Sequence, residues 1–252
     1  MTTVREILNS LYTAAPPELK EPWDNIGLLC GNGSNEVCGV LVALDVTLPV
    51  LREAKSLGCN LVVTHHPVIF GEIASVTDCE PTGKLLLYAI ENGIACVNLH
   101  TNLDKADGGV NDILAQKLRL QGVEKLGDYL RGGTVKEATL KAYAQTVKDA
   151  LGCCTVRYAD GGKPVHRVAV GGGACADEIP LAASAGCDTL VTADIKYHQF
   201  LQASLWGVNL IDAGHFQTEN PVTEHLKSRI VSEFPNIPCE ISRVHDDPIR
   251  FL

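Results

Sequence analysis

Short Val-rich apolar runs alternate along the chain with stretches of helical spacing, and one such pattern occurs twice. Residues 39–64 read GVLVALDVTLPVLREAKSLGCNLVVT, and residues 167–192 read RVAVGGGACADEIPLAASAGCDTLVT. At a constant offset of 128, without a gap, eight of these twenty-six positions are identical, among them Val40/Val168, Val42/Val170, Gly58/Gly186, Cys59/Cys187 and Thr64/Thr192. Each copy predicts a strand, a turn, a helix stopped by glycine, and a second buried strand. Strands separated by helix-length segments imply βαβ units and a parallel sheet covered on both faces.

The correspondence continues. Ile94 to Leu99 predicts another strand that ends at His100, and Val208 to Asp212 predicts its counterpart, running into His215. The offset is now 115, so the first copy carries 13 additional residues, placed around Gly71 to Thr82. Helices are expected over Val110–Leu118, over Lys136–Leu151, and over Pro221–Phe234 with Asn220 as its N-cap. The expected fold is therefore α/β: two pseudo-equivalent βα halves with mainly parallel sheets, residues 1–125 and 166–252, joined by a bridging segment 126–165.

Composition narrows the class. The chain has 252 residues, 46% of them hydrophobic, and a net charge of −9. That is globular material with enough length for a sizeable core. No apolar run approaches the roughly 18 residues of a membrane span, and the start of the chain lacks a signal-peptide layout. The acidic balance argues against binding the nucleic-acid backbone. Ten cysteines without any C-x-x-C pair read as reduced core thiols of a cytoplasmic protein.

Candidate chemistry lies at the strand ends, where open parallel sheets bind ligands. One end gives Thr64-His65-His66-Pro67, the next His100-Thr101-Asn102-Leu103-Asp104, and the repeat supplies His215-Phe216-Gln217-Thr218-Glu219. Adjacent imidazoles on a strand should diverge toward different partners. An H-x3-[D/E] spacing brings both groups to one side of a single turn. Imidazole with carboxylate suits divalent zinc, manganese, iron, cobalt or nickel, and six candidates exceed the four ligands of one tetrahedral zinc. His100/His215 and Asp104/Glu219 correspond in the repeat, so each half offers a matched ligand arm. Asp194, Lys196 and His198 follow the strand equivalent to that of His65, as substrate-orienting groups or a plain helix start. Gly171-Gly172-Gly173-Ala174-Cys175-Ala176 fits G-x-G-x-x-A, but the equivalent first-half loop has no glycine. A tight turn that admits close backbone approach explains it better than a dinucleotide site, though such a loop could also cradle phosphate.

These motifs, together with Trp23-Asp24-Asn25-Ile26-Gly27-Leu28 and Thr192-Ala193-Asp194-Ile195-Lys196-Tyr197-His198, resemble the Nif-three-like dinuclear-metal family, whose members are often called GTP cyclohydrolase 1 type 2 homologues. The resemblance spans the chain almost end to end; Thr192-Ala193 departs mildly from the small residue and glycine usual before the Asp. It implies two α/β halves sharing a site for two divalent metal ions per chain, and assembly into toroidal homohexamers. His66 and Asp104 would hold one ion and His65 and His215 the other, with Glu219 bridging; His100 would be a neighbouring group or weaker ligand. The inserted domain of some larger relatives would be absent. The implied activity is metal-assisted hydrolysis of a nucleotide-like or other small substrate, for GTP the opening of the guanine ring at C8 with release of formate. His100 or His198 would be the catalytic proton shuttle. Two rival functions use the same residues: a metal-dependent phosphoesterase, and a regulatory or interaction protein with structural metals.

Overall fold

Strands buried on both faces form from uninterrupted apolar runs, because each side chain, whichever way it points, meets a covering helix. The computed structural model of the protein, describing residues 1–252, follows this rule. The chain begins α1 (Val4–Ala14), β1 (Gly27–Cys30), β2 (Val40–Ala43), α2 (Leu48–Ser56), β3 (Leu61–Thr64), α3 (Pro81–Glu91), β4 (Ala95–Asn98) and the single-turn α4 (Thr101–Lys105). It continues with α5 (Val110–Lys117), β5 (Gln121–Leu126), β6 (Leu130–Ala138), α6 (Leu140–Leu151), β7 (Arg157–Ala159) and β8 (Val165–Val170). Next come α7 (Ile179–Ser184), β9 (Thr189–Thr192), α8 (Tyr197–Trp206), β10 (Asn209–Asp212) and the single-turn α9 (His215–Glu219). The last elements are α10 (Val222–Glu233) and β11 (Cys239–Ile241). No helix is long and apolar enough to cross a membrane.

The fold is α/β with two sheets, one in each of two units: Met1–Asp107 with Val222–Asp246, and Gly108–Pro221 with Asp247–Leu252. The first sheet has the order β1-β4-β3-β2-β11, parallel except for β1. The second has the order β5-β6-β8-β9-β10-β7, with β8, β9 and β10 parallel and β5, β6 and β7 antiparallel to their neighbours. The repeat is thus a three-stranded parallel core, β2-β3-β4 and β8-β9-β10, each flanked by a short antiparallel strand. β3 and β9 occupy positions aligned in the sequence repeat, and all four residues of each are buried.

Several boundaries differ from those the sequence suggests. Segment 126–165 is no simple bridge, since β6 and β7 are strands of the second sheet. Lys136–Ala138 finish β6 rather than start a helix; α6 begins after Thr139, whose hydroxyl accepts the Ala142 N–H. Residues 222–246 belong to the first unit, where β11 pairs with β2. The additional first-half residues lie in the connection 65–80, where the second half has only 193–196 between strand and helix.

Within the second unit Arg131 of β6 is 1% exposed, and Asp112 of α5 accepts from it on both carboxylate oxygens, at 2.9 and 3.1 Å. A guanidinium this deeply buried needs such a bidentate partner. None of the ten cysteines is in a disulfide, and six are buried. Burial pushes the Cys153 thiol up to about 11 and the Cys239 thiol up to about 12, so both remain neutral and behave as small apolar groups.

Candidate metal centre

The parallel strands end at polar side chains because their carboxyl ends open into loops where backbone pairing stops. In the first unit β3 delivers His65 and His66, and β4 delivers His100 and, through α4, Asp104. His65 is fully buried, and its Nδ1 lies 2.9 Å from the Leu99 carbonyl oxygen. That carbonyl can only accept, so Nδ1 donates to it and Nε2 is left to face Asp104. Nε2 stands 3.5 Å from Oδ1 of Asp104. His66 Nδ1 is 2.7 Å from Oδ1 of Asp45, in the loop after β2.

His65, His66 and His100 each bring a ring nitrogen to within 4.8 Å of the others. The two adjacent histidines therefore take different Nδ1 partners, as expected, but their rings do not diverge: the centroids are 5.0 Å apart. Strand alternation stops at Thr64, where β3 ends, and does not govern the pair that follows.

Asp24 explains the orientation of His100. The residue is 2% exposed; Oδ1 meets His100 Nδ1 at 2.8 Å, and Oδ2 accepts from the Thr101 N–H at 3.1 Å and hydroxyl at 2.6 Å. Burial alone would raise its pKa, but the hydrogen bonds from His100 and Thr101 prevail and hold it below the ordinary carboxylate value. His100 and Asp104 do not pair across their turn as the spacing suggests; Asp24 takes the one and His65 faces the other.

In the second unit the corresponding turn does pair: His215 Nε2 lies 2.9 Å from Oε2 of Glu219, itself 5% exposed. His215 Nδ1 lies 2.8 Å from Asp194, which adopts φ 53°, a left-handed conformation that Asp tolerates better than most residues. Asp194 aligns with His66 in the repeat, so the second unit has an orienting carboxylate where the first has an imidazole.

The glycine loop resolves in the same place. A Cβ on Gly172 would stand 2.8 Å from Val110 and 3.2 Å from Glu219, and one on Gly173 would run into the Glu219 carboxylate. Its N–H groups are engaged internally, Gly172 with Asn111 at 2.7 Å and Gly173 with Thr218 at 3.0 Å. The glycines admit α9, and their N–H groups are taken up within the protein. His198 is exposed in the first turn of α8 and joins neither cluster.

The sequence reading did not single out Asp24 and Asp45 as orienting groups. Both come from segments distant in sequence from the histidines they hold, and only the strand-end position of Asp45 hinted at its role.

The family model described as Duf34/NIF3 (NGG1p interacting factor 3) matches residues 2–248. The chain belongs to this family. A Clostridium perfringens relative named GTP cyclohydrolase 1 type 2 homolog is 32% identical over 263 residues, covering 99% of each chain. Among solved structures, a Staphylococcus aureus hypothetical protein superposes with TM-score 0.94 at 28% identity, covering 99% of each chain. A Bacillus cereus protein related to NIF3 gives 0.91 at 26% identity, covering 100% of this chain and 99% of that one. The DUF34/NIF3 assignment rests on sequence and fold together, and agrees with the resemblance noted from the motifs.

Proposed function

We propose that this DUF34/NIF3 protein is a dinuclear-metal-dependent hydrolase acting on a nucleotide-like or other small substrate. His66 and Asp104 would hold one divalent ion, His65 and His215 the other, and Glu219 both. One observation carries the reading: all four strand-end histidines have Nδ1 against an oxygen, from Leu99, Asp45, Asp24 and Asp194. Metal-ligating imidazoles are held in this way, with tautomer and ring orientation fixed by a carbonyl or carboxylate behind them. The burial of Asp104 and Glu219 adds support, since buried carboxylates need cationic or hydrogen-bonding company. Zinc, iron, manganese, cobalt and nickel all suit this donor set.

When bound, the ions supply Lewis acidity and lower the pKa of coordinated water. His100, oriented by Asp24, would move the proton; His198, out on the surface of α8, is not retained in that role. The C. perfringens relative's name makes GTP the first substrate to test. Formate should be released from GTP, activity should disappear with a strong chelator and in His66→Ala, and returning the metal should restore it. Undiminished turnover under chelation contradicts the reading, as does a protein with both ions bound that hydrolyses neither GTP nor any other nucleotide or phosphoester tried.

The orienting carboxylates make a sharper prediction. Asp194→Asn should weaken metal affinity by about 10- to 100-fold, measured by competition with a chromophoric chelator. Wild-type affinity would remove Asp194 from the account.

A cytoplasmic location, consistent with ten cysteines outside any disulfide, and assembly as a homo-oligomer, a toroidal hexamer by family resemblance, complete the proposal. The exposed stripe Tyr197, Leu201 and Leu205 along α8, 79%, 58% and 84% exposed, supports assembly. Light scattering should report a multimer, and a mass of one chain would contradict it.

A further inference from the structure

The Trp23-Asp24-Asn25 segment does more than orient His100. Trp23 is 57% exposed and Phe70 is 68% exposed, yet their rings touch, with centroids 5.8 Å apart and planes tilted by 48°. Each also lies edge-on to His100, with centroids 6.2 Å away. His100 in turn contacts His65 and His66, at 5.3 and 5.6 Å between centroids. An unbroken wall of rings therefore runs from the solvent to the buried His65.

The wall is held by side chains, not by burial. Asn25 donates from Nδ2 to the carbonyls of Ile69, at 3.0 Å, and Gly71, at 2.6 Å, tethering the backbone on both sides of Phe70. The Asn25 carbonyl accepts from Nδ2 of the buried Asn98, at 3.0 Å, which ties the segment to β4. Asp24, between the two, grips His100. Phe70 belongs to the long connection after β3, whose counterpart in the second unit is only residues 193–196. Rings committed to the core would be covered; these are fixed in place and left facing water, as a preorganised stacking surface requires.

We propose that Trp23 and Phe70 form a subsite that stacks a planar heteroaromatic ring of the substrate beside His100, directing its reacting bond to the imidazole cluster. This rests on the hydrolase reading above and adds the substrate feature that the site recognises. An aromatic face contributes to stacking whatever the exact base, so the subsite selects flat rings as a class.

The test uses the metal-loaded, full-length chain carrying Trp206→Phe, which leaves Trp23 as the sole tryptophan reporter. Guanosine and cytidine, a two-ring and a one-ring base on the same sugar, are titrated against ribose while Trp23 fluorescence is followed. At least one nucleoside should quench Trp23 and bind much more tightly than ribose. Phe70→Ala should weaken that binding by about tenfold, and Phe70→Tyr should restore it. Binding by heat measurement should fall similarly in Trp23→Ala.

The subsite is overturned if neither nucleoside outcompetes ribose, or if both alanine variants bind like the parent. It is also overturned if the rings matter only for capturing another protein. Metal content, measured on every sample, separates the two ideas. Fewer than one ion per chain in the parent protein defeats the hydrolase reading, whereas normal metal content with ring-independent binding defeats the subsite alone.

Discussion

Gly173→Ala should abolish metal retention and lower stability by about 2–4 kcal/mol, combining the strain of a non-glycine residue in the left-handed region with overpacking. Gly173 sits at φ 60°, and its added Cβ would collide with the Glu219 carboxylate and stand 3.2 Å from Cε1 of His215. The loop cannot easily yield. The Gly173 carbonyl accepts the Ala193 N–H at 2.8 Å and the Thr192 hydroxyl at 2.8 Å, while its N–H donates to Thr218. The carboxylate would have to move instead, and with it the proposed bridging ligand. Gly58→Ala is the matched control, with φ 70° and open space around the new methyl. It should cost about 1 kcal/mol and leave metal content unchanged. Thermal melts with metal analysis check both; a Gly173→Ala protein of wild-type stability and metal content would refute this role for Gly173.

Asp112→Ala should have a comparable effect on stability alone. Removing the carboxylate leaves the Arg131 guanidinium, 2% exposed in its side chain, without its bidentate partner. Breaking a buried pair in this way costs about 3–5 kcal/mol, a fall in Tm of roughly 10 °C for a chain of this size. Adding Arg131→Met should recover much of the loss, because an apolar side chain needs no partner there. A single variant within 1 kcal/mol of wild type in urea unfolding would contradict this assignment.

The repeated core was legible because both copies obey the same physics. Val-rich strands buried on both faces leave a strong pattern, and the offset of 128 that aligns the sequences also aligns β3 with β9. The ligand candidates were legible because carboxyl ends of parallel strands collect polar residues. What escaped depended on contacts distant in the chain. Asp24 lies 76 residues from His100 and Asp45 lies 21 from His66, so no spacing rule links them. The three-residue β11 is too short to show periodicity, and its pairing with β2 exists only in the folded chain. The sequence pattern starts α6 too early because Lys136–Ala138 suit the end of β6 as well as a helix. His198 follows a strand end, as the proposed ligands do, but lies exposed in the first turn of α8.

The strand-end histidines and carboxylates are proposed to hold two metal ions. Metal analysis of the purified full-length protein tests this most directly. About two equivalents per chain are expected, as in two-ion hydrolytic sites, with loss in His65→Ala and Glu219→Ala variants that remain folded. Fewer than one equivalent in the wild type, or full retention in both variants, would contradict it.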